Sequence, residues 1–297
     1  MHIKLGIAPI AWSNDDMPEL GGDTPIETCL KEASEVGFSG IELGGKFPRN
    51  PRTTNFLLKK YELEMPGGWY GSFLKDRSVE EEWLSMQDHI SLLKIVKSDI
   101  FVFADITGSI QADSSSPLSS RPILKDNEWK QYAKKISEIS NRLYDIGIPM
   151  SYHEHMGTII QTEEDINRLM NETNDKTFLL YDTGHLLFAQ ADYQNILSKY
   201  VARINHVHCK DIRKKVLIKS LKEDLSFRNS FLNGAFTVPG DGCIDYKPLL
   251  KTLIDHKYNK WLVVEAEQDP KKANPLEYAE IGYNYLKKIL SEVGYKI

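Results

Sequence analysis

The chain has 297 residues, 41% of them hydrophobic, enough to bury a large core either as two ordinary domains or as one large α/β barrel. A formal net charge of -5 and a pI near 5.9 argue against nucleic acid as a partner, because phosphate binding rests on clustered Lys and Arg. No stretch has the uncharged length needed to span a bilayer.

The opening MHIKLGIAPIAW is apolar but short, contains Pro9 and runs into SNDDMPEL with no small-residue cleavage signature. It reads as a first strand, KLGIA, in a chain expected in the cytoplasm. Next, Thr24, Pro25 and Glu27 supply an N-cap, a proline at the first helical position and a glutamate placed for a capping box, predicting the first helix. That helix closes at Gly37, where a left-handed position suits glycine, and FSGIEL follows as strand two. YELEM is assigned as strand three. Ser78 in SVEE starts the next clear helix, and IFVFAD is strand four. The polar stretch TGSIQADSSSPLSSRP behind it is a candidate lid. Gly147 ends another helix before strand five, PMSYH, and TEED at Thr162 repeats the capping pattern with aspartate in the reciprocal place. FLLYD, INHVH and WLVVEA are strands six, seven and eight. Between the last two, the long connection from Asp211 to Asp245 is a second candidate lid, and its basic run from Arg213 to Lys222 reads as a solvated helix face. About eight strands, each followed by a helix or a loop leading to one, with no linker, predict a single (β/α)8 TIM barrel over residues 1–297. Cys29, Cys209 and Cys243 are odd in number and far apart, which implies neither a disulfide framework nor a structural zinc site.

In such a barrel the C-terminal ends of the strands carry the chemistry. Strand two ends with Glu42, strand five with His153, Glu154 and His155, and strand six with Asp182 followed by His185. Strand seven ends with His206 and His208, then Lys210 and Asp211, and strand eight with Glu265 and Glu267. One histidine or aspartate at a strand end is an ordinary structural group. Neighbouring strand ends that all send carboxylate or imidazole to one face are a poor arrangement for stability, because buried charges must be paired or bound to a cation. A divalent metal resolves the conflict, and mixed ligands suit manganese, cobalt, iron or zinc better than calcium. HEHMG is not the zinc-protease HExxH motif, which would need its second histidine where Gly157 stands, and a helix where a strand ends.

The segments GIAPIAWSNDDMPELG, YHEHMGTIIQT, LLYDTGH, HVHCKD, FTVPGDGCIDY and VVEAEQDPKKANPLEYA resemble the myo-inosose-2 dehydratase family of inositol catabolism, within the xylose-isomerase-like TIM barrels. The resemblance runs from Gly6 to about Ala279. DTGH is shared by many sugar isomerases and epimerases, whereas APIAWSNDDMPELG together with VVEAEQDP points narrowly to the dehydratases. The resemblance implies loss of water from 2-keto-myo-inositol (scyllo-inosose) to give 3D-trihydroxycyclohexane-1,2-dione. It also implies a manganese or cobalt ion and an association with glutathione, for which no spacing in the sequence speaks.

By the same resemblance, metal ligands end strands five to eight, usually as Glu, Asp, His and Glu. Asp182, His208 and Glu265 match the last three. Strand five departs: counted from Gly147 the ligand position falls on His153, and strand alternation puts His153 and His155 on one face with Glu154 on the other. His153 is therefore the expected ligand and Glu154 the alternative. His155 and Glu267 are the expected proton-transfer groups, His185 the partner of the ketone or hydroxyl, and Lys210 the group near the developing oxyanion, unless a salt bridge with Asp211 or Glu267 occupies it. Asn14, Asp15 and Asp16 would grip ring hydroxyls, Trp12 and Trp69 would line the apolar faces of the ring, and Glu42 would orient a ligand histidine. Imidazole in place of an isomerase-type glutamate argues against simple reversible proton shuttling. The alternative is a metal-dependent keto-sugar isomerase or epimerase on the same barrel. More distant are a metal-dependent endonuclease, disfavoured by the acidic chain, and a sugar-binding barrel, which needs no such array of titratable groups. The expected partner is a small cyclic polyol ketone, with no nucleic acid and no membrane, and a homo-oligomer is left open.

Overall fold

Short runs rich in β-branched and aromatic residues form the strands, most of them fully buried as a parallel sheet covered by helices requires. They are β1 (Lys4–Ile7), β2 (Gly40–Ile41), β3 (Trp69–Ser72), β4 (Phe101–Asp105), β5 (Met150–His153), β6 (Phe178–Asp182) and β7 (Ile204–Cys209). A two-stranded ribbon of β8 (Asp211–Ile212) and β9 (Phe236–Thr237) precedes β10 (Trp261–Val264). The computed structural model describes residues 1–297. The eight parallel strands run in the order β2-β1-β10-β7-β6-β5-β4-β3. Isolated parallel bridges, Gly40 with Glu64 and Leu43 with Gly68, join β2 to the approach of β3 and close the sheet into the expected barrel.

Strand three differs from the expectation. YELEM forms no strand: Glu62 has a φ of 55°, Glu64 touches Gly40 only through an isolated bridge, and Pro66 has no N–H for a ladder. Pairing with β4 starts at Trp69, so Trp69 lies nearer the C-terminal face than any residue of YELEM. The first helix differs too. It spans Ile26–Val36 with Pro25 at the cap position and no side-chain cap bond, because the extended Pro25 (ψ 147°) starts the helix one residue later and leaves Thr24 outside it. The other caps match the reading. Ser78 and Glu81 form a reciprocal box, as do Thr162 and Asp165, and Gly37 and Gly147 adopt left-handed φ values of 107° and 83°.

Register sets the height of the functional residues. A shift in the β6–β7 ladder after Leu179 brings His206 opposite Leu180 and His208 opposite Asp182, and β10 places Val263 beside His208. Over this end of the barrel sits a second apolar cluster, separate from the main core. It combines Met17 from the loop after β1, Leu118 from the segment after β4, Met156 from the loop after β5, and Phe227, Phe231 and Phe236 from the long connection after β7. The two segments expected as lids are bonded to one another: Ser119 N donates to Asp224 Oδ1 (3.1 Å), Asn229 Nδ2 to Ser114 O (3.2 Å) and Arg228 Nη1 to Ala112 O (2.9 Å). The basic run forms the helix Lys214–Lys222 with its lysines exposed.

Candidate metal centre and active site

His153 at the end of β5, Asp182 at the end of β6, His208 in β7 and Glu265 just after β10 are all buried, with candidate ligand atoms within 4.8 Å of one another. Asp182 divides its carboxylate. Oδ1 accepts from the backbone N–H groups of Gly184 (2.8 Å) and His185 (2.9 Å), capping the short helix Thr183–Phe188, while Oδ2 is buried without a hydrogen bond. Both histidines have their outer nitrogens engaged. His153 Nδ1 is bonded to the carbonyl of Glu154, which turns Nε2 inward to 3.8 Å from Asp182 Oδ2. His208 Nε2 lies 3.2 Å from Glu42, which turns Nδ1 inward to 2.6 Å from Glu265 Oε2 and 3.5 Å from Asp182 Oδ2. With the protons on those outer nitrogens, nitrogen and oxygen lone pairs converge on one buried point, an arrangement that only a cation relieves. The residues thus fit a divalent ion of the nitrogen- and oxygen-loving kind. Without it a proton takes the place: burial opposes the imidazolium of His208, but Glu265 and Glu42 outweigh burial and push its pKa well up.

Glu42 bridges two imidazoles, at 2.7 Å from His206 Nε2 and 3.2 Å from His208 Nε2. Burial would raise its pKa, yet His208 and His206 pull it down to about 2, so the carboxylate stays charged and orients His208. Glu154 stands apart from the cluster. Both of its oxygens are buried without a partner, and burial together with Asp182 raises its pKa far above the usual carboxylate range. What Glu154 gives the cluster is its main-chain carbonyl.

Beside the candidate metal ligands lies a second group, His155, His185 and Glu267, also buried. Lys210 is fully buried between the two groups, donating to Glu267 Oε1 (2.7 Å) and His185 Nε2 (2.8 Å) and ion-paired with Glu265 Oε1 (2.8 Å). Burial disfavours its charge, but Asp182, Glu265 and Glu267 outweigh that and keep it protonated. Asp211, the other partner considered for Lys210, is spent on the backbone N–H groups of Ile212, Cys243 and Ile244, which tie down the long connection. Close passage of the lysine explains the glycine of DTGH: a Cβ on Gly184 would stand 2.5 Å from Lys210 Cγ. Burial lifts Glu267 to about 7, against the pull of Lys210, and its Oε2 has no partner. His155 engages Nδ1 with the carbonyl of Met156 (2.9 Å), leaving Nε2 4.0 Å from Glu267 Oε1. Burial and Lys210 lower its pKa, so it is a neutral imidazole.

A pocket open to solvent at its mouth reaches down to His153, His155, His208, Glu265 and Glu267. Trp69 forms one wall, edge-on to His153 and His155 with ring centroids 5.5 and 5.4 Å apart. Asp15 and Asp16 also line it, but Asn14 and Trp12 do not. Asn14 Oδ1 accepts from the backbone N–H groups of Asp16 and Met17 (both 2.9 Å), so it builds the turn that presents the two aspartates. Trp12 packs in the main core and donates to Glu32, because the 3-10 turn Pro9–Ala11 rotates the chain so that Pro9 and Ile10 face the pocket instead. Sequence reasoning missed Gln111, which lines the pocket from the polar stretch after β4, and Phe227, whose ring covers His155 and His185 at 5.1 and 5.7 Å. Gln111 lies on an irregular turn and Phe227 opens the short helix Phe227–Leu232 inside the long connection, so neither ends an apolar strand aimed at the site.

The xylose isomerase-like TIM barrel family matches residues 30–289. The chain is 41% identical over 297 residues to the rhizopine catabolism protein MocC of Rhizobium meliloti, covering 100% of this chain and 91% of that one. It is 40% identical over 289 residues to an inosose dehydratase of Clostridium perfringens, covering 97% of each, and 41% identical over 292 residues to one of Lactiplantibacillus plantarum, covering 98% and 97%. Among solved structures it is similar to the IOLI protein with a bound zinc atom, at TM-score 0.71 and 15% identity over 98% of this chain and 99% of that one. A probable 3-DHS dehydratase, AsbF of Bacillus anthracis, gives TM-score 0.70 and 15% identity over 96% and 99%. At that identity the structural likeness speaks for the fold alone.

Proposed function

The chain belongs to the xylose isomerase-like TIM-barrel family, and from that premise we propose that it is an inosose dehydratase, a hydro-lyase of inositol catabolism acting as a single barrel domain over residues 1–297. It removes water from scyllo-inosose to give 3D-trihydroxycyclohexane-1,2-dione. The observation that carries the reading is the near-full-length identity of 40–41% to inosose dehydratases. A buried acid/base group beside a metal-ligand cluster supports it.

Elimination from a hydroxyketone needs an electrophile at the ketone oxygen, a base for the adjacent C–H and an acid for the departing hydroxyl. A divalent ion, proposed to be manganese or cobalt, held by His153, Asp182, His208 and Glu265, would supply Lewis acidity at the ketone. His155, neutral with Nε2 free, takes the α-proton. The electron pair left behind delocalises towards the ketone oxygen, where the ammonium of Lys210 adds positive charge. Glu267, poised near neutrality with Oε2 free, gives its proton to the hydroxyl so that water leaves rather than hydroxide. His185, expected at the ketone or hydroxyl, does not line the pocket; its Nε2 accepts from Lys210 and its Nδ1 from Met156 N, so it positions the ammonium instead. Asp15 and Asp16 bind hydroxyls of the ring, and Trp69 packs on its apolar side. The free cysteines suit a cytoplasmic setting. No helix is long and apolar enough to cross a membrane.

The test is a product assay. Metal-loaded protein given scyllo-inosose should release a dione whose enol absorbs in the ultraviolet, a chelator should stop this, and manganese or cobalt should restore it. Adding reduced glutathione to the same assay tests the glutathione association that the family resemblance implies. Absence of the chromophore, or clean epimerisation of a keto-sugar at far higher efficiency, would overturn the reading.

A further inference from the structure

The wall of the pocket away from the ligand cluster is almost entirely acceptor. Asp15 and Asp16 carry its polar groups, and a carboxylate can only accept hydrogen bonds. A ring hydroxyl both donates and accepts. Gln111 carries the one side-chain amide in the pocket lining; the other neutral donors there, the indole N–H of Trp69 and the imidazoles, belong to rings that pack against one another at the ligand cluster. Its Nε2 lies 3.3 Å from Asp16 Oδ1 and its Oε1 accepts from Ser109 Oγ at 3.3 Å, both longer than a well-made bond. Each can be exchanged for a bond to substrate at small cost.

The backbone that carries this amide is fixed. Ile110 N donates to Gly157 O at 3.0 Å, and Gly157 (φ 82°) comes so close that a Cβ there would stand 2.9 Å from Gln111 N. On the other side Arg228 holds the carbonyl of Ala112. Gln111 is only 9% exposed. A fixed backbone with an adaptable, nearly buried amide at its tip, paired with a carboxylate, is what reading one hydroxyl requires.

We propose that Gln111 is a specificity-determining residue for the cyclic polyol, its amide donating to a ring hydroxyl remote from the ketone while Asp16 accepts from the same hydroxyl. The assignment rests on the substrate reading above. A six-membered ring anchored by its ketone and neighbouring hydroxyl turns its opposite carbons towards this wall. A ring that lacks the hydroxyl there leaves both partners desolvated and unanswered, which is how a polar site rejects a deoxy analogue.

Metal-loaded wild type and the variants Gln111→Leu and Gln111→Glu should be titrated calorimetrically with scyllo-inositol and assayed on scyllo-inosose and on ring-deoxygenated inososes. Both variants should bind scyllo-inositol about tenfold or more weakly. Wild type should prefer scyllo-inosose over one deoxy isomer by about tenfold or more in kcat/KM, and Gln111→Leu should erase that preference chiefly through KM. Metal content equal to wild type shows that the variants are folded, and Gln111→Glu keeps the shape while deleting the donor. Equal affinities in wild type and variants, or equal losses on all substrates, overturn the inference. A wild type that binds scyllo-inositol through Gln111 yet yields no dione overturns the reaction instead.

Discussion

Asp182 serves two masters with one carboxylate, and the division makes it separable. Replacing it with asparagine keeps an oxygen for the helix cap and puts an amide NH2 where Oδ2 faces the cluster, so Asp182→Asn should lose bound metal and turnover together while leaving the fold intact. Elemental analysis of the purified variant decides it, since full metal content would remove Asp182 from the ligand set. The contrasting pair is His155→Ala and Glu267→Gln. These should keep their metal and lose about 10²–10⁴ in rate, and loss of metal from either would move it out of the proton-transfer role. The residues argued here were legible in the sequence for a physical reason: strand alternation fixes direction, so polar side chains at the ends of apolar runs must converge. Trp12 and Asn14 were not, because a 3-10 turn and an Asx-type turn re-aim side chains with no period to reveal it. His206 was visible in HVH, but its task of holding Glu42 depends on contacts across the barrel.

At the scale of elements, local chemistry decided which boundaries were readable. The capping boxes at Ser78 and Thr162 follow from neighbours in the chain and match the reading. Thr24 failed because proline set the start of its helix, and YELEM failed because a strand is defined by its partners, which Pro66 denies it. The comparison yields a paired expectation. Ser78→Ala should cost about 1 kcal/mol of stability in denaturant unfolding, and Thr24→Ala close to nothing. Equal costs would mean that the two helix starts are energetically alike.

For the molecule as a whole, stability should fall with acid partly through His89. This ring sits 5.0 Å from Phe101 and 5.6 Å from Tyr70, with Nε2 donating to the carbonyl of Gly68. Burial lowers its pKa to about 4 against an ordinary 6.5, the bond to Gly68 opposing. The unfolded chain therefore binds the proton first as pH falls, so the contribution is whole above pH 6.5 and drains away towards pH 4, up to about 3 kcal/mol. Unfolding free energies across that window should be flatter for His89→Gln than for wild type, and parallel curves would refute the assignment.

The cluster of 10 buried residues above the pocket shares no member with the main core of 64. An apolar unit of that size, laced to itself by loop contacts, can detach while the barrel beneath stays folded. Amide hydrogens of residues 214–232 should then exchange through a sub-global opening of lower free energy than those of β4 to β7, and bound polyol should slow them selectively. Product is then expected to depart through such an opening. Raising solvent viscosity should accordingly slow steady-state turnover while leaving the single-turnover rate of water loss alone, so that the pace of the enzyme is kept by a patch of phenylalanines and methionines that touch no proton.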